Sequence, residues 1–431
     1  MYWLTDYFIK DMNINRIKTI IICFFVFYSS YGQNTIITHD YEVNLENEAV
    51  HKYMQNVIYQ PHDTSLIDNY RKGIEYRMDW PNPVVIDIPQ TSVDSLSIYC
   101  CDNENLKDSM IFHISAKEKT AALYNFIPNR VYRYHIKNGD NVLQKGKIRT
   151  SGQLRQINVC NTVYNVRDLG GWKTSDNMQL RYGKIFRGTE LNGSHIATTE
   201  GINILRELGV EAELDLRASY NKGYNSSAFG FSTIPSSGDV STYYCTSGSG
   251  ELPSHMKKSN WIIKWRLEFK YIVNNLREGR TIYEHCVWGR DRTGFLSFLL
   301  EGLLGVSYSD LAKDYELTFF VYNNSKSTKD SIDKVFDYID TMPGETLRDR
   351  FNYFFVNKLS VQQSDIDFFR SEMLEAIRTE NNAIKEIKND IEITKESILY
   401  DLSGRRVKNP RKGNLYLIKD RYGHTRKILY Q

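Results

Sequence analysis

Short runs of alternating apolar and polar residues occupy the first third of the chain, and apolar residues recur at helical spacing further on. Runs at 84–88, 92–99, 109–115, 121–126, 131–136 and 145–150 are rich in β-branched and aromatic residues, and Asn, Asp, Gly and Pro separate them. This pattern predicts a small all-β sandwich over residues 81–150, with a start that could lie as far back as residue 35. Residues 34–80 are polar and mixed, and no element is assigned to them.

The pattern changes after Ser151-Gly152. Thr199 is placed to cap a helix carrying Ile202, Leu205 and Leu208 on one face and ending at Gly209. Val210, Ala212, Leu214 and Leu216 alternate as a strand. Residues 218–258 are rich in Ser and Gly and predict a long loop or lid. Trp261, Ile262, Trp265, Phe269 and Ile272 have helical spacing and read as a core face. A strand at 281–285, a helix through Leu304, and helical stretches near 309–322, 328–340 and 363–378 complete an α/β domain over residues 155–378. Charged residues 380–396 read as a linker. Three strand-like runs at 398–406, 412–418 and 425–429 predict a small β module over 397–431, and its cluster of Arg405, Arg406, Lys408, Arg411 and Lys412 reads as a solvated face.

At the N-terminus, Arg16 and Lys18 precede an apolar run at 19–28 and small residues at 29–32. That is the layout of a secretory signal peptide over residues 1–32, with Met12 the better start, so export from the cytoplasm is expected. Net charge is +3 over 431 residues, too close to neutral to predict a nucleic-acid partner. Beyond Cys23 the chain keeps Cys100, Cys101, Cys160, Cys245 and Cys286, an odd number with no zinc-like spacing. At least one thiol therefore stays free or pairs outside the chain.

Residues 282–300, IYEHCVWGRDRTGFLSFLL, carry the chemistry. A strand leads in, Gly289 allows a tight loop, and an apolar helix leads out. Amides of Val287, Trp288, Gly289, Arg290, Asp291 and Arg292 can converge on one point, helped by the helix N-terminus, and form an anion site. Arg292 adds a guanidinium fork for phosphate oxygens. The same positive field lowers the pKa of Cys286 and makes it a nucleophile, with Thr293 placed to donate to the sulfur. His285 is expected to order the loop, since a thiolate needs no general base. The reaction that fits is phosphoryl transfer to sulfur followed by hydrolysis, with no metal or other cofactor required. Asp291 is out of place facing an anion, so its carboxylate is expected at the rim, toward substrate, an attacking water or Arg290.

The run His285-Cys286-x-x-Gly289-x-Asp291-Arg292-Thr293-Gly294 resembles the signature of the tyrosine-phosphatase superfamily. Asn165-Val-Arg167-Asp168-Leu-Gly170-Gly171, Phe186-Arg187 and Asp215-Leu-Arg217 follow the block order of its bacterial branch. The resemblance implies a tyrosine-phosphatase-like central sheet flanked by helices. It also implies a phosphorylated protein or phosphoinositide substrate. It offers Asp215 as the general acid, against the alternative of a structural pair with Arg217, and Asp239 or Glu251 in the long loop as other donors. Asp168 and Arg187 are implied as scaffolding beside the pocket, against the alternative of a buried salt bridge away from it. Two residues depart from the pattern: Trp288 stands where a small residue is usual, and Glu284 where an apolar one is common. Trp288 reads either as a wall for an aromatic substrate or as packing. The stretch from Phe126 through Pro128 to Tyr134 resembles a fibronectin type III signature. The tail resembles secretion-associated modules of some Gram-negative bacteria, which implies export machinery as a partner. A non-catalytic phosphate-recognising or adhesive module and a rhodanese-type sulfur transferase are the competing readings.

Overall fold

The computed structural model describes residues 36–55, 70, 77–102, 109–217, 222–223, 226–229, 256–257, 259–321, 329–377, 398–400, 407, 415–419 and 425–429. The expected signal peptide lies outside the described residues, as do the expected linker, most of 218–258 with Asp239, Cys245 and Glu251, and the basic cluster at 405–412. The chain divides into two units, Met1–Ile377 and Arg378–Gln431.

In the first unit, β1 (Ile37–Thr38), β2 (Tyr41–Asn44) and helix α1 (Glu48–Met54) come before β3 (Val84–Asp87), β4 (Ser95–Cys101), β5 (Met110–Ser115), β6 (Thr120–Leu123), β7 (Val131–Asn138) and β8 (Asn141–Ser151). One sheet has the order β1-β8-β7-β4-β5, with β2 also paired to β8, and β3 pairs with β6 separately. Alternation explains the strands: Val84 and Ile86 of β3, and Tyr132, Tyr134 and Ile136 of β7, are buried while their neighbours face outward. Those side chains meet in one apolar cluster between the two sheets. The unassigned stretch before residue 80 supplies β1, β2 and α1, whose N-cap is Asn47.

Next come β9 (Arg167–Asp168), β10 (Met178–Leu180), β11 (Ile185–Gly188), α2 (Thr199–Glu207), β12 (Val210–Asp215), α3 (Ser259–Arg277), β13 (Thr281–His285), α4 (Arg292–Leu304), α5 (Tyr308–Glu316), α6 (Lys329–Asp340), α7 (Leu347–Tyr353), α8 (Gln363–Met373) and β14 (Leu374–Ala376). The central sheet has the order β12-β13-β11-β9. β12, β13 and β11 run parallel, and β9 is antiparallel to β11. The parallel strands end level with one another, since Gly188 and Asp215 both stand opposite His285. Ligands bind off the carboxyl ends of such strands.

Several boundaries differ from expectation. The cap of α2 is Thr198, whose side chain accepts from Gly201 N–H, and Thr199 is the first helical residue. The stretch near 309–322 is α5 continued by a 3₁₀ turn (Leu317–Phe320). Helix α7 was not foreseen; a Thr346–Asp349 capping box starts it and a π turn (Phe354–Lys358) continues it. The last helix stops at Met373, because 374–376 pairs with β10 as β14.

Helix α4 is buried on every side from Thr293 to Leu304, which is why its sequence is apolar almost throughout. It lies against α7 at Gly302, where an added Cβ would come within 2.4 Å of the Phe351 ring. In the second unit, β15 (Ile398–Tyr400), β16 (Leu415–Lys419) and β17 (Thr425–Leu429) form an antiparallel sheet in that order.

Gly302→Ala is predicted to destabilise the protein by about 1–3 kcal/mol through overpacking, although alanine favours a helix by about 1 kcal/mol. Urea denaturation checks this, and an unchanged or raised midpoint would contradict the packing.

Candidate active site

The loop between β13 and α4 sits at the carboxyl end of the parallel strands. Its carbonyls are tied down from behind. Val287 O accepts from Glu190 N–H at 3.3 Å. Gly289 O accepts from Arg187 Nη2 at 2.9 Å and from Asn165 Nδ2 at 3.0 Å. A trans peptide points its N–H opposite to its C=O, so anchoring these two carbonyls to the scaffold turns the Trp288 and Arg290 amides the other way, into the cup. Gly289 has φ +61°, and a Cβ there would meet Gly188 O at 2.3 Å. Only glycine lets the loop lie this close to β11.

Cys286 is 2% exposed at the base of the loop. Burial alone would push its thiol up. The Arg292 guanidinium and the nearby dipoles of the Thr293 hydroxyl and amide outweigh that, so its pKa lies below the ordinary thiol value even with Asp291 opposing them. Arg292 is steadied by a bond from Nη1 to Leu216 O at 3.2 Å. Asp291 occupies the N-cap position of α4 but makes no capping bond. Its carboxylate accepts from Arg290 Nε at 3.1 and 3.2 Å, the last of the three directions expected for it. The first amides of α4 are therefore left without a side-chain cap, as an anion site needs.

His285 is fully buried, with Nε2 2.9 Å from Glu213 Oε1 and Nδ1 3.3 Å from the Cys286 carbonyl. Burial would lower its pKa, but the carboxylates of Asp215 and Glu213 raise it above the usual value. It orders the loop through the backbone and makes no hydrogen bond to the sulfur.

Two of the implied residues have carboxylates held by other partners. Both oxygens of Asp215 accept from the Arg217 guanidinium at 2.7–3.1 Å, and Asp215 is 3% exposed. It forms the pair with Arg217 that was the alternative to an acid role. Arg217 also reaches Glu190 and the carbonyls of Lys222 and Gly223. Asp168 bonds Arg155 Nη1 and the amides of Gly170 and Gly183, so it closes the turn after β9. Arg187, by contrast, stands directly beneath the loop.

The family model described as the tyrosine phosphatase family matches residues 159–375, half of the chain. The chain belongs to the tyrosine phosphatase family. A Cupriavidus necator protein named "Putative tyrosine-protein phosphatase" is 25% identical over 186 residues, spanning 40% of this chain and 67% of that relative. The protein is thus a phosphatase enzyme acting on phosphorylated substrates, and the readings as a non-catalytic module or a sulfur transferase give way.

Behind the loop, the phosphatase buries a charge network that the sequence did not reveal as one. The β9–β11 register sets Arg167 directly opposite Arg187. Like charges so placed repel, and Asp314 of α5 lies between them. It accepts from Arg167 Nε at 2.8 Å and pairs with Arg187 Nη1. Burial would raise the Asp314 carboxyl, but the two arginines outweigh it and hold its pKa below the usual range. Arg167 also donates to Asn165 Oδ1 at 2.6 Å, which turns the Asn165 amide toward Gly289. The unusual Glu284 faces this network. It is fully buried and accepts from Ser297 Oγ at 2.6 Å. Burial pushes its carboxyl up to about 7, so through the acid range it stands as a neutral group where an apolar one was expected.

The folded state binds this proton more tightly than the unfolded chain, so stability is full below about pH 4 and is lost as pH rises toward about 7. Glu284→Gln is predicted to leave stability nearly unchanged below pH 4 and to raise it at pH 8 by on the order of 3 kcal/mol. Denaturation at both pH values checks this, and an equal effect at the two would contradict the raised pKa.

Proposed function

We propose that the enzyme hydrolyses aryl phosphate monoesters, phosphotyrosine foremost, through a cysteinyl-phosphate. The observation that carries this is the loop whose carbonyls are anchored outward around a buried cysteine of lowered pKa. The Cys286 thiolate attacks phosphorus, the bond from phosphorus to the ester oxygen breaks, and that oxygen leaves as a phenolate and takes a proton from water. Water then attacks phosphorus, the S–P bond breaks, and phosphate departs as the thiolate returns. Arg292 and the loop amides hold the phosphoryl oxygens through both steps.

Two features favour an aryl leaving group. Trp288 is 45% exposed on the loop and is held edge-on by His195 at 4.5 Å, so its ring forms a wall beside the cup. Asp215 is engaged by Arg217, and a phenol, with a pKa near 10, leaves with far less help from an acid than an aliphatic alcohol does. Phosphoserine, phosphothreonine and phosphoinositides are accordingly poorer substrates in this reading. Export of the enzyme is supported by the pattern of residues 16–32, a fibronectin type III-like origin of residues 81–150 by the motif from Phe126 to Tyr134, and recognition of the tail by export machinery by the sequence of residues 397–431.

The test compares wild type, Cys286→Ser and Trp288→Ala on a phosphotyrosine peptide, a phosphoserine peptide and a simple alkyl phosphate. Cys286→Ser should lose activity by roughly a thousand-fold or more. Trp288→Ala should lower kcat/KM on the phosphotyrosine peptide by about 3- to 10-fold and leave the alkyl phosphate unaffected. Full activity of Cys286→Ser would refute the mechanism, and equal losses on all substrates would refute the role given to Trp288.

A further inference from the structure

The active-site loop is braced by residues outside the region that matches the family. Segment 77–80 follows the N-terminal strands and α1 and precedes residue 159 by a long stretch of sequence. It nevertheless packs on the turn at 161–165, next to the site. Asp79 is 4% exposed and accepts the Asn165 N–H at 2.7 Å. Arg77 forks onto the same carboxylate at 3.0 and 3.1 Å and donates to the carbonyls of Asn161 at 2.6 Å and Val163 at 2.7 Å. Its guanidinium also lies over the Tyr164 ring, 4.0 Å from the centroid.

Two lines of contact run from this pair to the loop. In the inner line, Asn165 holds φ +58°, a left-handed conformation that asparagine tolerates and that an anchored N–H stabilises. In that conformation its Nδ2 bridges Gly289 O and Thr318 Oγ1, both at 3.0 Å. In the outer line, Tyr164 stands edge-on to His195 at 5.4 Å, and His195 stands edge-on to Trp288 at 4.5 Å. The inner line fixes the floor of the phosphate cup and the outer line fixes its wall.

We propose that Arg77 and Asp79 are positioning residues for catalysis, so that the N-terminal β region is a working part of the phosphatase and not an independent appendage. They touch no reacting atom. They set Asn165 and Tyr164, which set the Gly289 peptide and the Trp288 ring. The inference rests on Cys286 being the nucleophile.

The experiment uses the full chain with Asp79→Ala, Asp79→Asn, Asn165→Ala and the Asp79→Ala/Asn165→Ala double variant, with Cys286→Ser as control. Measured are kcat and KM on an aryl phosphate and the pH dependence of Cys286 alkylation by iodoacetate. Asp79→Ala should lower kcat by roughly ten- to a hundred-fold, as small misplacements of a reacting group do, with KM changed less, and should move the alkylation midpoint to higher pH. Asp79→Asn keeps the size and one acceptor but loses the fork with Arg77, so it should show a smaller loss of the same kind. The double variant should be no slower than the worse single one. Wild-type kcat and an unmoved alkylation midpoint in folded Asp79 variants, or losses that multiply in the double variant, would overturn the proposal. If Asp79→Ala does not fold, Asp79→Asn decides by the same two readouts. An active Cys286→Ser would instead overturn the nucleophile assignment.

Discussion

The site depends on the backward anchoring of two loop carbonyls. Val287 O is held by the Glu190 amide, and Gly289 O by Arg187 and Asn165. A loop of this length left to itself would scatter its peptide dipoles. Once those carbonyls are bonded to the scaffold, the Trp288 and Arg290 amides turn the other way, an arrangement that suits an anion without further reorganisation. The helix N-terminus and Arg292 then add to a field already oriented, and the low thiol pKa is one consequence of it.

The anchors impose a burden of their own. An arginine directly under the loop must be buried, and the sheet register brings a second one opposite it. Asp314 reconciles the pair from α5, a helix distant in sequence. The remaining acids, Glu284 and Glu301, are both buried here, and burial drives their carboxyl pKa values upward so that they need not carry charge. Breaking such a network by removing one partner leaves an uncompensated buried charge, which is far more costly than the pair is stabilising. The charge network and the loop are joined through Arg187, which bonds both Asp314 and Gly289 O.

What was legible in the sequence follows from which constraints are local. The strand, glycine turn and helix around Cys286 lie within one stretch, and each element carries its own signal, so the loop and its helix were read from residues 282–300. The β runs of residues 84–150 alternate cleanly because one face of each is buried. Asp314 had no signal. It sits in an amphipathic helix among other charged residues, and only the tertiary fold carries it to Arg167 and Arg187. Asp79 was hidden in the same way, within a stretch that shows no periodicity. For Asp215 the sequence left two roles open, because a D-L-R block is equally well explained by the pair it makes with its neighbour two residues on. The turn-closing bonds of Asp168 were equally illegible, since an aspartate that caps a turn and one that supports a pocket look alike in sequence. Helix α7 was missed because only one of its seven residues is buried, which leaves little apolar pattern to read.

A loop built this way should make Cys286 the phosphoryl acceptor. The most direct measurement is rapid acid quench of wild-type enzyme turning over an aryl phosphate, followed by mass spectrometry of the peptide that contains residues 282–300. A phosphate adduct is expected on Cys286, formed within the first turnover and absent from Cys286→Ser. Steady turnover with no adduct on that peptide, or an adduct on another residue, would contradict it.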